Sequence, residues 1–303
     1  MNTHKIFRTL SIAWMKLPLI LRAILVGFTV STIGVLAWVN VGSLVPMPWT
    51  LIAMAGLLWL YWKYLSGSGP PGRTKAYRVE NFRRQKLPAK AWGVAMLAGL
   101  LIVLIEQSGL VFTFRLVRFP AEQFVAAYSF LDNYPLWAAW LIVVMISVVA
   151  GICEEIGFRG YMQVPLEKRY GPIVGIAIVS IVFVLVHLHQ AWSGPILAQI
   201  FIISALFGTL AYASRSLIPG IAAHIVMDIF NFSYWWTNIG WQFDKAPISV
   251  TGIDLHFIVW TLILIGSTLL FVLSIARLRA LSQQHSDLNA AKTLGLNPVE
   301  EPI

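Results

Sequence analysis

Long apolar runs decide what this chain can fold into. About 20 consecutive apolar residues span the hydrocarbon core of a bilayer as a helix, where only an internally hydrogen-bonded backbone is tolerated. Eight such runs are legible, at approximately Ala23–Val41, Pro46–Tyr64, Ala91–Phe114, Pro135–Phe158, Pro172–His189, Pro195–Ala213, Leu217–Trp236 and Leu255–Ala276. Charged residues make up only 12% of the 303 residues and hydrophobic ones 58%, whereas a soluble domain carries about 25% charged residues. The expected fold is all-α, a polytopic membrane protein with about eight transmembrane helices. Ahead of the first run, Phe7, Leu10, Trp14 and Leu17 recur at helical spacing between Lys5, Arg8 and Lys16, which suits a short helix lying in the interface.

Charge orients these spans. Arg115, Arg118 and Lys245 fall on one side, and the other nineteen of the 22 basic residues fall on the opposite side. The positive-inside bias then places both the N and C termini in the cytoplasm. It also accounts for the net charge of +9 without a nucleic-acid partner. The basic loop Lys63–Lys90, opened by a flexible turn at Ser66–Gly72, is expected to contact anionic lipid head groups. Cys153 is the sole cysteine, which rules out an intrachain disulfide and a Cys-rich zinc site. Three regions follow: 1–134 with the interfacial helix and three spans, 135–236 as the chemical core, and 237–303 with the last span and tail.

The core carries acids and histidines inside apolar runs. Glu154 and Glu155 are adjacent in the fourth run. A charge at bilayer depth costs about 2.5–3.5 kcal/mol on insertion scales, so two in a row need a reason. Glu155 and Arg159 stand in the favourable i,i+4 order on a helix. That pair holds Glu155 ionised, and leaves Glu154, about 100° round the helix, as the desolvated general base. The bland alternative is a polar seam between helices, although such seams favour Ser, Thr and Asn. In the fifth run Phe183 and His187 share a face, with His189 nearly opposite as an interfacial cap. In the seventh, His224, Asp228 and Asn231 form one stripe. Asp228 either fixes the His224 tautomer or is itself a ligand or proton carrier. Glu106 is a further intramembrane acid, functional by default, with no partner that the sequence identifies. Cys153 reads as a small packing residue, and Tyr234–Trp241 as an interfacial aromatic belt.

In order, E-E-x-x-x-R (Glu154, Glu155, Arg159), F-x-x-x-H (Phe183, His187) and H-x-x-x-D (His224, Asp228) on three separate runs resemble the CPBP family. This is the family of CAAX proteases and bacteriocin-processing enzymes, also called Abi, whose members are intramembrane endopeptidases. The resemblance covers roughly Pro135–Trp236. It implies an α-helical membrane peptidase acting on a peptide or lipidated-protein substrate. Asp228 departs from the Asn usual in eukaryotic members, which weakens the prenylated-CAAX reading more than the protease reading.

Two mechanisms fit this set. In one, His187, His224 and Glu154 hold Zn²⁺, and Glu154 deprotonates its bound water. In the other, no metal is used: Glu154 with His187 activates water, and His224 stabilises the oxyanion. A proton- or ion-coupled transporter with a mid-membrane Glu/His site is the alternative class. The expected location is a bacterial inner membrane, with the site opening to the cytoplasmic side. Counted along the helices at about 1.5 Å per residue, Glu154 sits near the cytoplasmic end of its span, His187 deep in the fifth and His224 shallower. Convergence therefore calls for a displaced start of span five, which Pro165, Gly171 and Pro172 allow.

Overall fold

The computed structural model describes residues 12–84, 87–118, 121–190, 194–237 and 246–293. In chain order the α-helices are α1 (Leu19–Leu44), α2 (Trp49–Leu65), α3 (Lys75–Asn81), α4 (Ala89–Leu116), α5 (Ala121–Tyr128), α6 (Leu136–Glu154), α7 (Gln163–Tyr170), α8 (Pro172–Val186), α9 (Gly194–Ser214), α10 (Ile218–Trp236), α11 (Ile248–Thr251) and α12 (Leu255–Thr293). A π-helical stretch, Glu155–Met162, joins α6 to α7. Two compact units form: residues 1–84 with 131–208, and residues 85–130 with 209–303.

The all-α, multi-pass class holds, but the number of spans does not. Five helices among the described residues are long and apolar enough to cross a membrane: Leu19–Leu44, Ala89–Leu116, Leu136–Tyr170, Gly194–Ser214 and Leu255–Gln284. The expected eight overcounts for a physical reason in each case. Trp49–Leu65 has 17 residues. Pro172–Val186 has 15, because the helix stops before His187 instead of running on to His189. At about 1.5 Å per residue, 15 residues cover about 22 Å of a core about 30 Å thick. Ile218–Trp236 has 19 residues, but His224, Asp228, Asn231 and Ser233 make it polar. Residues 1–11 and 294–303 lie outside the described residues. So do Phe7 and Leu10 of the expected interfacial helix, while Trp14 lies on a helical stretch at 12–16. The expected aromatic belt is described only as far as Thr237.

In the first unit, α1 crosses the π stretch at a seam of small residues. A Cβ at Gly157 would lie 2.7 Å from the Gly27 carbonyl oxygen and 2.7 Å from Ser31 Cβ. One at Gly27 would lie 2.5 Å from Met162 Cβ, and one at Gly34 would run into Cys153 Sγ. Gly27, Ser31 and Gly34 thus form the small-residue face that lets membrane helices approach backbone to backbone. Cys153 is buried in that contact. Phe158, Met162, Leu166, Val179 and Phe183 pack beside it with Ala23. Gly171, at φ 84° and ψ 163°, lies in a region essentially reserved for glycine. It ends α7, and Pro172 opens α8.

In the second unit, α4 packs along α10 and α12. A Cβ at Gly99 would lie 2.9 Å from Ala223 Cβ, so α10 also sits close. Arg115, near the end of α4, donates to Thr251 Oγ1 and Asp254 Oδ2, each at 2.8 Å. Asp254 Oδ1 accepts the Phe257 amide at 2.8 Å, which caps the start of α12. The Arg115 hydrogen bond and then that amide hold the Asp254 carboxyl below its ordinary range.

The glycine seam predicts a specific sensitivity. Gly157→Ala drives a methyl into backbone atoms and should cost about 1–3 kcal/mol, read as a lower melting midpoint in detergent. Gly266→Ala, whose Cβ meets nothing within 4 Å, should leave the midpoint unchanged.

Candidate functional site

The E-E-x-x-x-R residues fall across a change of helix type. α6 ends at Glu154, and Glu155 begins the π stretch. Glu154 is half-buried, whereas Glu155 and Arg159 have no exposed surface. Arg159 Nη1 lies 3.4 Å from Glu155 Oε1, so the ion pair expected on an α-helix forms here on a wider one. Segments of π-helix are uncommon and recur at functional sites. A buried guanidinium needs more than one carboxylate to offset its desolvation. Here the Phe183 ring face lies 4.6 Å from Cζ, and Phe207 and Phe158 lie 5.6 and 5.9 Å away. Ser204 Oγ accepts from Nη2 at 3.4 Å.

Phe183 carries the arrangement on to the histidine. Its ring meets the edge of Phe158 at 5.0 Å and packs on the His187 ring at 4.3 Å between centroids. Glu155, Arg159, Phe183 and His187 therefore form one continuous train, which joins the first two motifs. α8 ends at Val186, so His187 stands at a helix terminus rather than within a helix. Its Nδ1 lies 2.8 Å from the Phe183 carbonyl oxygen. A carbonyl only accepts, so Nδ1 carries the proton and Nε2 presents its lone pair. His189 does not lie opposite: in the short turn Leu188–Gln190 its ring comes within 5.9 Å of the His187 ring. Helical spacing does not continue past Val186, where α8 ends.

The third motif lies in the other unit. His224 is buried, with Nε2 3.7 Å from Asp228 Oδ2. Asn231, one turn further on, donates its amide to Glu106 Oε1 at 2.9 Å. The stripe on α10 and the intramembrane acid on α4 thus form one partly buried polar cluster, and Glu106 has the partner the sequence did not identify. Tyr128, at the end of α5, belongs to the same surroundings. Burial, then the Asp228 and Glu106 carboxylates, push its hydroxyl above its ordinary range.

Among the described residues no group of three or more His, Cys, Asp or Glu side chains is placed to hold a metal ion. The expected zinc donors divide between the units, with Glu154 and His187 in one and His224 in the other.

No curated protein and no solved structure matches the chain. A family model does: residues 135–230 match Type II CAAX prenyl endopeptidase Rce1-like. That stretch contains Glu154, Glu155, Arg159, Phe183, His187, His224 and Asp228, while Glu106 and Asn231 lie outside it. The part of the chain bearing all three motifs is thus a CPBP/Rce1-like CAAX protease family domain match.

Proposed function

We propose that this chain is an intramembrane endopeptidase that hydrolyses a peptide bond in a membrane-associated or lipidated protein. The observation that carries this reading is the train from Glu155 through Arg159 and Phe183 to His187, in a stretch that matches a peptidase family. In this reading Glu154 takes a proton from water, and the oxygen attacks the scissile carbonyl carbon. His187 orients the same water through its Nε2 lone pair. The C–N bond then breaks, and the proton held on Glu154 passes to the leaving amine. Glu155 does not compete for that role, because it is committed to Arg159. His224 stabilises the oxyanion in this reading, and Asp228 holds His224. The substrate reaches the site from the cytoplasmic side of an inner membrane.

The two acids should separate in their effects. Glu154→Gln and His187→Ala should each lower cleavage by about 10²–10⁴-fold, with the melting midpoint in detergent close to wild type. Full cleavage by Glu154→Gln would refute the assignment. Glu155→Gln strands a buried guanidinium and should cost about 3–5 kcal/mol of stability, so its midpoint should fall along with its activity.

Zn²⁺ on His187, His224 and Glu154 is the second form of the proposal. Metal analysis of the purified protein, paired with chelator treatment, distinguishes the two forms. A rate that survives chelation supports direct activation of water. A loss that Zn²⁺ restores supports the metal.

A further inference from the structure

The Ser66–Gly72 turn and the residues after it, as far as Arg84, are folded onto the π stretch. Arg78 is buried and staples the Ser66–Gly72 turn by donating to the carbonyls of Tyr64, Gly69 and Pro71, the last two at 2.8 and 2.7 Å. Tyr161 Oη, in the π stretch, donates to the Leu65 carbonyl at 2.9 Å. The Tyr77 ring meets that of Tyr161 at 6.0 Å. Glu80 and Lys168 pair at the surface.

Arg83 is the central member of this clamp. It has φ 49°, a left-handed conformation that non-glycine residues hold uncommonly. Its guanidinium is turned inward, with the side chain 8% exposed and that of its partner Glu167 9% exposed. Nη2 donates to Glu167 Oε2 at 2.6 Å, while Nε donates to the backbone carbonyl of Arg159 at 3.0 Å. Glu167 is fixed in turn by Gln163 Nε2, which donates to its Oε1 at 2.6 Å and to the Gly208 carbonyl at 2.9 Å.

We propose that Arg83 is a positioning residue of the peptidase site. It acts on Arg159, whose side chain connects Glu155 to Phe183 and His187. By holding the Arg159 carbonyl, Arg83 sets where that guanidinium lies. The inference rests on the endopeptidase reading for its functional part. The fork matters: Nε and Nη2 lie on one edge of a rigid plane and reach two acceptors together, whereas a lysine ammonium is a single point on a flexible stem. Lysine keeps the charge opposite Glu167 and gives up the simultaneous hold on the carbonyl.

The test uses the full chain in proteoliposomes, with two variants and three readouts. Arg83→Lys should keep the wild-type melting midpoint and lower kcat roughly 10- to 100-fold, with KM unchanged. It should also speed amide hydrogen exchange across Glu155–Met162, but not across residues 136–149. Glu167→Gln keeps an oxygen for Nη2 and leaves the Arg159 carbonyl contact intact; loss of the buried charge should lower its melting midpoint, with exchange across Glu155–Met162 and kcat changed less than in Arg83→Lys. Unchanged exchange across Glu155–Met162 in Arg83→Lys overturns the proposal. So does an unchanged kcat in an enzyme that cleaves, or a Glu167→Gln kcat that falls as far as that of Arg83→Lys. If the wild type cleaves neither a prenylated C-terminal peptide nor a leader peptide, the endopeptidase reading fails, and the exchange measurement alone decides whether Arg83 anchors the stretch.

Discussion

A guanidinium with no exposed surface is the most demanding group in the first unit. Desolvating a cation costs several kcal/mol even after relaxation. Arg159 therefore needs everything that surrounds it: the Glu155 carboxylate at 3.4 Å, the Phe183 ring face at 4.6 Å and the Ser204 hydroxyl at 3.4 Å. Those same groups define the site. Phe183 cannot leave Arg159 without moving His187, because one ring serves both. Glu155 cannot change its charge without stranding the cation. The demand of one buried side chain thus sets the positions of an acid, an aromatic wall and an imidazole.

This arrangement also sorts two acids that are chemically identical. Glu155 is wholly buried and committed to Arg159, whereas the half-buried Glu154 ends the α-helical part of the segment. Different surroundings suit neighbouring carboxyl groups to different tasks, and the proposed reaction uses one as a support and the other as a base. The second unit repeats the economy with other residues. Asn231 spends its amide on Glu106, and Asp228 faces His224, so one stripe of α10 serves two polar contacts.

Much of this was legible in the residues, and the losses have identifiable causes. Apolar runs and scarce charge indicated an all-α membrane protein, and the i,i+4 spacing indicated the Glu155–Arg159 pair. The span count failed because hydropathy extends a run past the point where the backbone stops: His187 terminates α8, and polar side chains interrupt the apolar face of α10. The π register left no mark beyond Gly157 and Gly160, since hydrogen-bond step is a backbone property. The partner of Glu106 was hidden because Asn231 lies 125 residues away. Two residues of the basic loop show a further loss. Arg78 and Arg83 look like surface charge in sequence, yet both turn inward to backbone carbonyls.

The wider helical step at Glu155–Met162 has a bearing on how this region tolerates insertions and deletions. A π segment holds one residue more in each hydrogen-bonded loop than α geometry requires. Loss of a single residue there could be absorbed by reversion to an ordinary α-helix, with no broken backbone bond. The following helix would keep nearly its present facing, because one residue fewer in ordinary α steps turns the chain about as far as one more in the wider steps. Gln163 and Glu167 would still face Gly208 and Arg83, their present partners. The same loss in α6 or α7 has no spare residue to draw on and would turn everything beyond it by roughly 100°.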